Sequence, residues 1–285
     1  MSRLGLAVHR FRPDALEVAG RVISWAGSNG YEVVVDESDL ASLRTTSVTS
    51  GDVGDVDVLV SIGGDGTMLR SVHVLNGRTV PLIGVNLGQL GYLAVVEDDE
   101  VIEALDVWHN GTEGTEYHYD DRMLLEVSMW AKGARLANHL AMNEVVIEKS
   151  EAGHTVRLGV DIDKASFTTY AADGLILATP TGSTAYSMSA RGPILSPRLR
   201  AILLTPVSPH MLFDRSMVLD PQELVRIEIL GHRSVNVATD GELVHTLRPG
   251  DVVEVRAAQE VARFVRFKEQ RFHQTLKSKF GLSDR

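Results

Sequence analysis

Gly63-Gly64-Asp65-Gly66-Thr67 sets one carboxylate among glycines, directly after the β-branched run Val56–Ile62 and directly before Met68-Leu69-Arg70. A strand that ends in such a loop and passes into a helix is where an open α/β sheet holds ligands. Glycines admit backbone amides to a phosphate, and the following helix offers its positive N-terminal end. Asp65 itself would repel a phosphate. In this setting it serves either as a general base on a hydroxyl or as a holder of Mg²⁺, unless it only bonds its own turn backbone. Neither the G-x-x-x-x-G-K-S/T phosphate loop nor the G-x-G-x-x-G dinucleotide fingerprint occurs in the chain, so P-loop and dehydrogenase chemistry lose their main support.

A second cluster is Asp173-Gly174 followed by Thr179-Pro180-Thr181-Gly182-Ser183-Thr184-Ala185-Tyr186-Ser187-Met188-Ser189. Pro180 keeps Thr179 out of a helix, and Ser183 or Thr184 is placed to cap one starting near Ala185. A ring of donors at a second helix N-terminus suits ribose and phosphate oxygens. Tyr186 is either a stacking face for a planar base or a half-buried core residue. Asn143-Glu144 pairs an amide with an acid ahead of apolar Val145-Val146-Ile147, where a base edge or ribose could be recognised.

The elements that must position these residues change character along the chain. Leu4–Val8, a helical pattern from Pro13 and Asp14 through Ala26, Tyr31–Val35, Val56–Ile62 and Pro81–Val85 alternate as strand and helix, which predicts a Rossmann-like parallel α/β domain. Residues 45–55 are polar and predict a loop, and Asp98–His109 predicts an amphipathic helix. After Tyr117 come short runs separated by turn residues: Met123–Trp130, Leu136–Glu148, Val156–Ile162, Phe167–Tyr170, Leu175–Ala178, Ala201–Pro206, Leu224–Leu230, Val235–Thr239 and Val252–Arg256. They predict a β-sandwich-type domain. The expected division is 1–115, 116–258, and a segment 259–285 whose moderately basic helix, Gln270–Phe280, returns to the α/β domain.

With 285 residues, 44% hydrophobic and 23% charged, the chain can bury a core. A formal net charge of −10 opposes attraction to nucleic acid or an anionic membrane surface, so neither is an expected partner. The absence of cysteine excludes disulfides, thiolate metal sites and cysteine nucleophiles, in keeping with a cytoplasmic protein. The short apolar run at the N-terminus is too brief for a membrane span and reads as a first strand.

Gly63–Thr67, Asn143-Glu144, and Asp173-Gly174 with Thr179–Tyr186 resemble, in this order, the diagnostic motifs of the NAD kinase family. The resemblance extends through Gly84-Val85-Asn86-Leu87-Gly88-Gln89-Leu90-Gly91-Tyr92-Leu93, Asp121-Arg122 and Gly192-Pro193-Ile194. It implies transfer of a phosphoryl group from ATP or polyphosphate to the 2′-hydroxyl of the adenosine ribose of NAD, giving NADP. In that reading Asp65 takes the hydroxyl proton with Gly66 beside it, and Asn143 and Glu144 hold the ribose or adenine end. Thr184, Ala185, Tyr186, Ser187, Met188 and Ser189 contact the dinucleotide, with Tyr186 against a ring. Asp173 binds the nicotinamide side, in its own or a neighbouring subunit's site, because these enzymes are dimers or tetramers. Arg70, His154 and Glu242 fall where family members contact ligand. No metal-ligand motif is evident, so Mg²⁺ or another divalent metal is expected to arrive with the donor phosphates. Arg191 stands where the family has glycine, and the expectation is that this position does not need positive φ. Ala171 places no charge before Asp173, which leaves polyphosphate open as donor. The alternatives are a non-catalytic NAD-binding sensor and a lipid kinase sharing the glycine-aspartate loop.

Overall fold

A computed structural model of the chain describes residues 2–43, 47–88, 91–268 and 272–282. Gln89 and Leu90, Thr45 and Thr46 of the expected loop, and Gln270 at the start of the expected final helix lie outside the described residues. The chain forms two compact units, Met1–Asp121 with Ala262–Arg285, and Arg122–Val261.

In the first unit, β1 (Ser2–Val8), β2 (Tyr31–Val35), β3 (Thr49–Ser50), β4 (Val58–Gly63) and β5 (Leu82–Asn86) form a parallel sheet. Their spatial order is β3-β2-β1-β4-β5, with β6 (Val96–Glu97) pairing β5. Both faces of such a sheet are covered by helices, so its strands are apolar runs rather than alternating ones. α1 (Pro13–Ser28) opens on proline, which suits a first helical position, and buries Ala15, Val18, Ala19, Val22 and Ala26 at helical spacing. α4 (Val101–Asn110) buries Val101, Ala104 and Leu105 in the core shared with β1, β4 and β5. α2 (Glu37–Leu43) was not anticipated: it is short and polar, and its one fully buried side chain is Asp39. The loop expected over 45–55 contains β3, a two-residue strand.

α3 (Asp65–Leu75) begins at Asp65, three residues before the start that the sequence suggested. Gly64 is extended and serves as N-cap. A side chain at Gly63 would meet Thr67 Oγ1 at 2.2 Å, so the first helical turn folds back onto a position that only glycine fills.

The second unit is antiparallel. The unit boundaries fall within β7 (His118–Ala131) and β18 (Val252–Arg266), the latter longer than the Val252–Arg256 run suggested. One sheet of the unit contains β7, β8 (Ala134–Ala141), β10 (Val156–Ile162), β11 (Ala165–Ala172), β15 (Val225–Leu230) and β18. The other has the order β14-β13-β12-β9-β16-β17. Its strands are β9 (Glu144–Lys149), β12 (Gly174–Ala178), β13 (Ile202–Val207), β14 (Met217–Leu219), β16 (Val235–Thr239) and β17 (Glu242–Leu247). Alternate residues of both sheets, among them Leu125, Val127, Ile147, Leu158, Tyr170, Leu175, Ile227 and Val237, meet in one core. The outer face of the second sheet is covered at Val146, Ile176, Ala178 and Leu203 by Ala190 and Leu195, from the segment around α5 (Tyr186–Ser189). The run Leu136–Glu148, expected as one strand region, splits into β8 and β9 at Met142-Asn143. The final helix, α6 (Phe272–Lys279), belongs to the first unit, with Phe272 against Tyr92 at 6.4 Å between rings.

Candidate active site

The order β3-β2-β1-β4-β5 reverses between β1 and β4, and at such a switch point the connections leaving the two strands diverge and open a crevice at their carboxyl ends. A cleft of about 490 Å³ lies there, lined by Val8–Arg12 after β1 and by Gly64, Gly66, Thr67 and Arg70 after β4. Arg10, Arg12 and Arg70 give its walls positive charge, and Phe11 stands almost fully exposed at its edge. Asp39, 1% exposed, organises two of these arginines: it accepts Arg10 Nε at 2.7 Å, Arg70 Nη1 at 2.7 Å and the Val8 amide at 3.2 Å. Arg70 also donates to the Val8 carbonyl at 2.7 Å, and Arg12 Nη1 to the Leu87 carbonyl at 2.6 Å.

Asp65 lies in the first turn of α3 but does not bond its own turn. Its Oδ2 accepts the Tyr92 amide at 2.8 Å, and its Oδ1 accepts the Leu93 amide at 3.0 Å and the Ala94 amide at 3.5 Å. An ionised carboxylate offers about four acceptor sites, so one on Oδ2 remains for a hydroxyl. A side chain at Gly91 would meet Oδ1 at 2.2 Å, which makes glycine obligatory beside the carboxylate.

In the second unit three separate stretches of sequence converge. Asp240-Gly241 is the two-residue turn of the β16–β17 hairpin, with φ 48° and 87°. The Asp240 carboxylate accepts the amides of Met142, Asn143 and Glu144 at 2.7, 2.6 and 3.0 Å, which breaks the strand at that point. The Asn143 carbonyl accepts the Thr179 amide at 2.8 Å, and Gly182 packs so closely on Asn143 that a side chain would meet its carbonyl oxygen at 2.0 Å. Glu144 is 6% exposed, and its Oε2 has no hydrogen-bond partner among the described residues. Burial, and secondarily the charge of Asp240, push its carboxyl up to about 7, while a bond from the Tyr186 amide opposes the shift. Tyr186 is 39% exposed, which suits a stacking face better than a core position. Its phenol is shifted upward by burial first, then by Glu148, Asp173 and Glu144. Asp173 pairs with Lys149 Nζ at 2.7 Å.

The hydroxyls of the second cluster do not form the expected donor ring. Thr181–Thr184 form a 3-10 turn, and α5, only four residues long, has no side-chain cap. Ser183 Oγ donates to the Pro180 carbonyl at 2.7 Å and accepts the Leu195 amide at 3.0 Å. Thr184 Oγ1 bonds the Thr181 carbonyl, and Ser187 Oγ meets Thr205 Oγ1 in the interior. Ala185 joins the two turns, Met188 is half-buried and Ser189 exposed. His154 lies exposed in the β9–β10 loop and Glu242 exposed at the start of β17.

Arg191 corrects a further expectation, because its φ is 66° and the position does demand the left-handed region. Asp39 and Asp240 were missed from sequence. The Asp-Gly pair between two apolar runs would have marked the Asp240 turn; nothing local marks Asp39.

Family models of the ATP-NAD kinase N-terminal domain and the ATP-NAD kinase C-terminal domain match residues 4–112 and 142–267. The NAD kinase of Syntrophotalea carbinolica is 36% identical over 289 residues, covering the whole of both chains. This chain belongs to the NAD kinase family. As a member of it, the chain is a kinase. An NAD kinase of Heliobacterium modesticaldum is also 36% identical, over 98% of each chain. Among solved structures, yeast NADH kinase complexed with NADH superposes with a TM-score of 0.90 at 26% identity, over 100% of this chain and 89% of that one. An NAD kinase from Archaeoglobus fulgidus shares the fold, with a TM-score of 0.74 at 22% identity over 97% and 98% of the two chains.

Proposed function

We propose that this chain phosphorylates NAD at the 2′-hydroxyl of its adenosine ribose, using ATP and yielding NADP. The observation that supports this most directly is Asp65, whose carboxylate is fixed by three backbone amides beside an arginine-walled cleft in a member of the NAD kinase family. The ribose oxygen forms a bond to the terminal phosphorus, the bond from that phosphorus to the bridging oxygen breaks, ADP leaves, and the hydroxyl proton passes to Asp65 Oδ2. Gly66 and Arg70 face the donor phosphates together with Arg10 and Arg12. Asn143 and Glu144 hold the ribose or adenine end. Tyr186 lies against a ring, with Thr184, Ala185, Ser187, Met188 and Ser189 forming the segment that supports it. Asp173, His154 and Glu242 complete the dinucleotide contacts, Asp173 on the nicotinamide side.

Among the described residues no three of His, Cys, Asp or Glu are grouped as metal ligands. Magnesium commonly binds through nucleotide phosphates, so Mg²⁺ would accompany the donor and would offset phosphate charge there. Polyphosphate, which presents a terminal phosphoryl group of the same kind, is the donor to compare with ATP. We assign the chain to the cytoplasm and to a homodimer or homotetramer, the oligomeric state to be checked by light scattering.

The test is incubation of purified protein with NAD, Mg²⁺ and either ATP or polyphosphate, followed by NADP detection. Asp65→Asn should reduce turnover by about 10²–10⁴-fold with NAD binding intact, since it removes the base, while its one remaining carbonyl oxygen can still accept the Leu93 and Ala94 amides and only the Tyr92 amide loses its acceptor. Full activity in that variant would refute the role of Asp65, and NAD binding without turnover in the native chain would favour a sensor.

A further inference from the structure

The three amides that hold Asp65 come from residues 92–94, which belong to no strand or helix, so something must fix the direction of those peptides. Leu93 and Ala94 are anchored by burial, and the Val95 amide donates to the Gly84 carbonyl at 3.1 Å. A further anchor of the segment is the Leu93 carbonyl. It accepts Arg266 Nη1 at 2.8 Å.

Arg266 is an unusual residue to find there. Its side chain is 3% exposed, with Asp120 as carboxylate partner at 3.2 Å and its guanidinium 5.1 Å from the Phe264 ring centre. Burying a guanidinium is costly, and as a source of stability such a pair is often no better than apolar packing. The peptide that Arg266 grips explains its presence. The Leu93 carbonyl and the Ala94 amide are two ends of one peptide plane, and the amide end faces Asp65 Oδ1. A cation on the carbonyl end prevents that plane from turning over and polarises the amide toward the carboxylate.

We propose that Arg266 is a positioning residue for phosphoryl transfer, acting through the Leu93–Ala94 peptide to hold Asp65 in line with the reacting hydroxyl. This rests on the role of Asp65 given above, and a double-mutant cycle separates the two. Arg266→Met should lower kcat by about ten- to a hundredfold, the scale of a misplaced catalytic group, with KM for NAD changed less than about twofold. In an Asp65→Asn background the substitution should change kcat by less than about twofold, because no base is left to misplace. Equal losses in the two backgrounds, or full kcat in Arg266→Met alone, would overturn the proposal.

If Asp65→Asn alone retains activity, the base assignment fails instead. The positional claim is then tested by hydrogen exchange, where the amides of 92–94 should exchange at least about tenfold faster in Arg266→Met while β1 and β4 remain protected. Unchanged exchange at 92–94 refutes it. Should Arg266→Met not fold because Asp120 is left uncompensated, Arg266→Met combined with Asp120→Asn removes both charges, and the cycle and exchange criteria apply to that pair unchanged.

Discussion

Replacing Arg191 by glycine should stabilise this protein, contrary to the usual direction of a side-chain deletion. Residues after α5 form a Schellman ending: the Arg191 amide donates to the Met188 carbonyl at 2.9 Å and the Gly192 amide to the Ser187 carbonyl at 2.8 Å. That motif places Arg191 at the left-handed position, φ 66°, where a Cβ costs about 1–2 kcal/mol. Glycine removes that cost but widens the unfolded ensemble, which offsets about 0.5–1 kcal/mol. Arg191 is exposed, and its guanidinium has no hydrogen bond or ion pair among the described residues, so no contact is lost. The net gain is about 0.5–1 kcal/mol, equivalent to a rise of about 1–4 °C in a protein of this size. Calorimetry and urea denaturation of Arg191→Gly beside the native protein would measure it, with KM for NAD and ATP expected within about twofold of native. A lowered midpoint would refute the assignment of strain to this residue.

Four further outcomes follow from the geometry. Glu144 has a folded pKa raised to about 7 against an ordinary value of 4.5, so it favours the fold below about pH 4.5 and that contribution is lost as pH rises through 7. Between pH 5 and 8 the native protein should lose about 2–3 kcal/mol relative to Glu144→Gln, and parallel stability curves for the two would contradict this. Asp39→Asn, which weakens the link among Val8, Arg10 and Arg70, should cost about 2–3 kcal/mol in denaturation and raise KM for ATP more than KM for NAD. Gly182→Ala places a methyl group on the Asn143 carbonyl and should weaken NAD binding by about tenfold or more, as seen by calorimetric titration. Tyr186→Ala should weaken NAD binding by about 5–100-fold if its exposed face stacks on a ring, and a smaller loss would remove it from the contact surface.

What the sequence shows of this fold follows from how local each signal is. The glycine-flanked Asp65, the apolar β-branched strands and the period of α1 are local patterns, and each lies where expected. The hydroxyl-rich cluster misled because serine and threonine side chains bond nearby backbone as readily as they cap helices. Ser183 and Thr184 do the former. α2 escaped notice because what it buries is an acid, and apolar periodicity cannot register a residue held by Val8, Arg10 and Arg70 from distant segments. Asp65 shows the limit most clearly. Its residue type announces chemistry, yet the amides that aim it belong to residues 27 to 29 positions later.

The first unit is interrupted in sequence, taking residues 262–285 only after the whole of the second unit has been made. During synthesis, at about 5–20 residues per second, an N-terminal unit ordinarily folds while the remainder is still being added. Here the α/β unit receives its last segment late. Until Phe264 pairs with Leu82, strand β5 lacks one of its neighbours, and until Arg266 is in place the Leu93 carbonyl lacks its donor. The loop containing Asp65 is thus encoded early but completed last, so that a nascent or truncated chain can contain every motif residue and still be unable to aim its carboxylate.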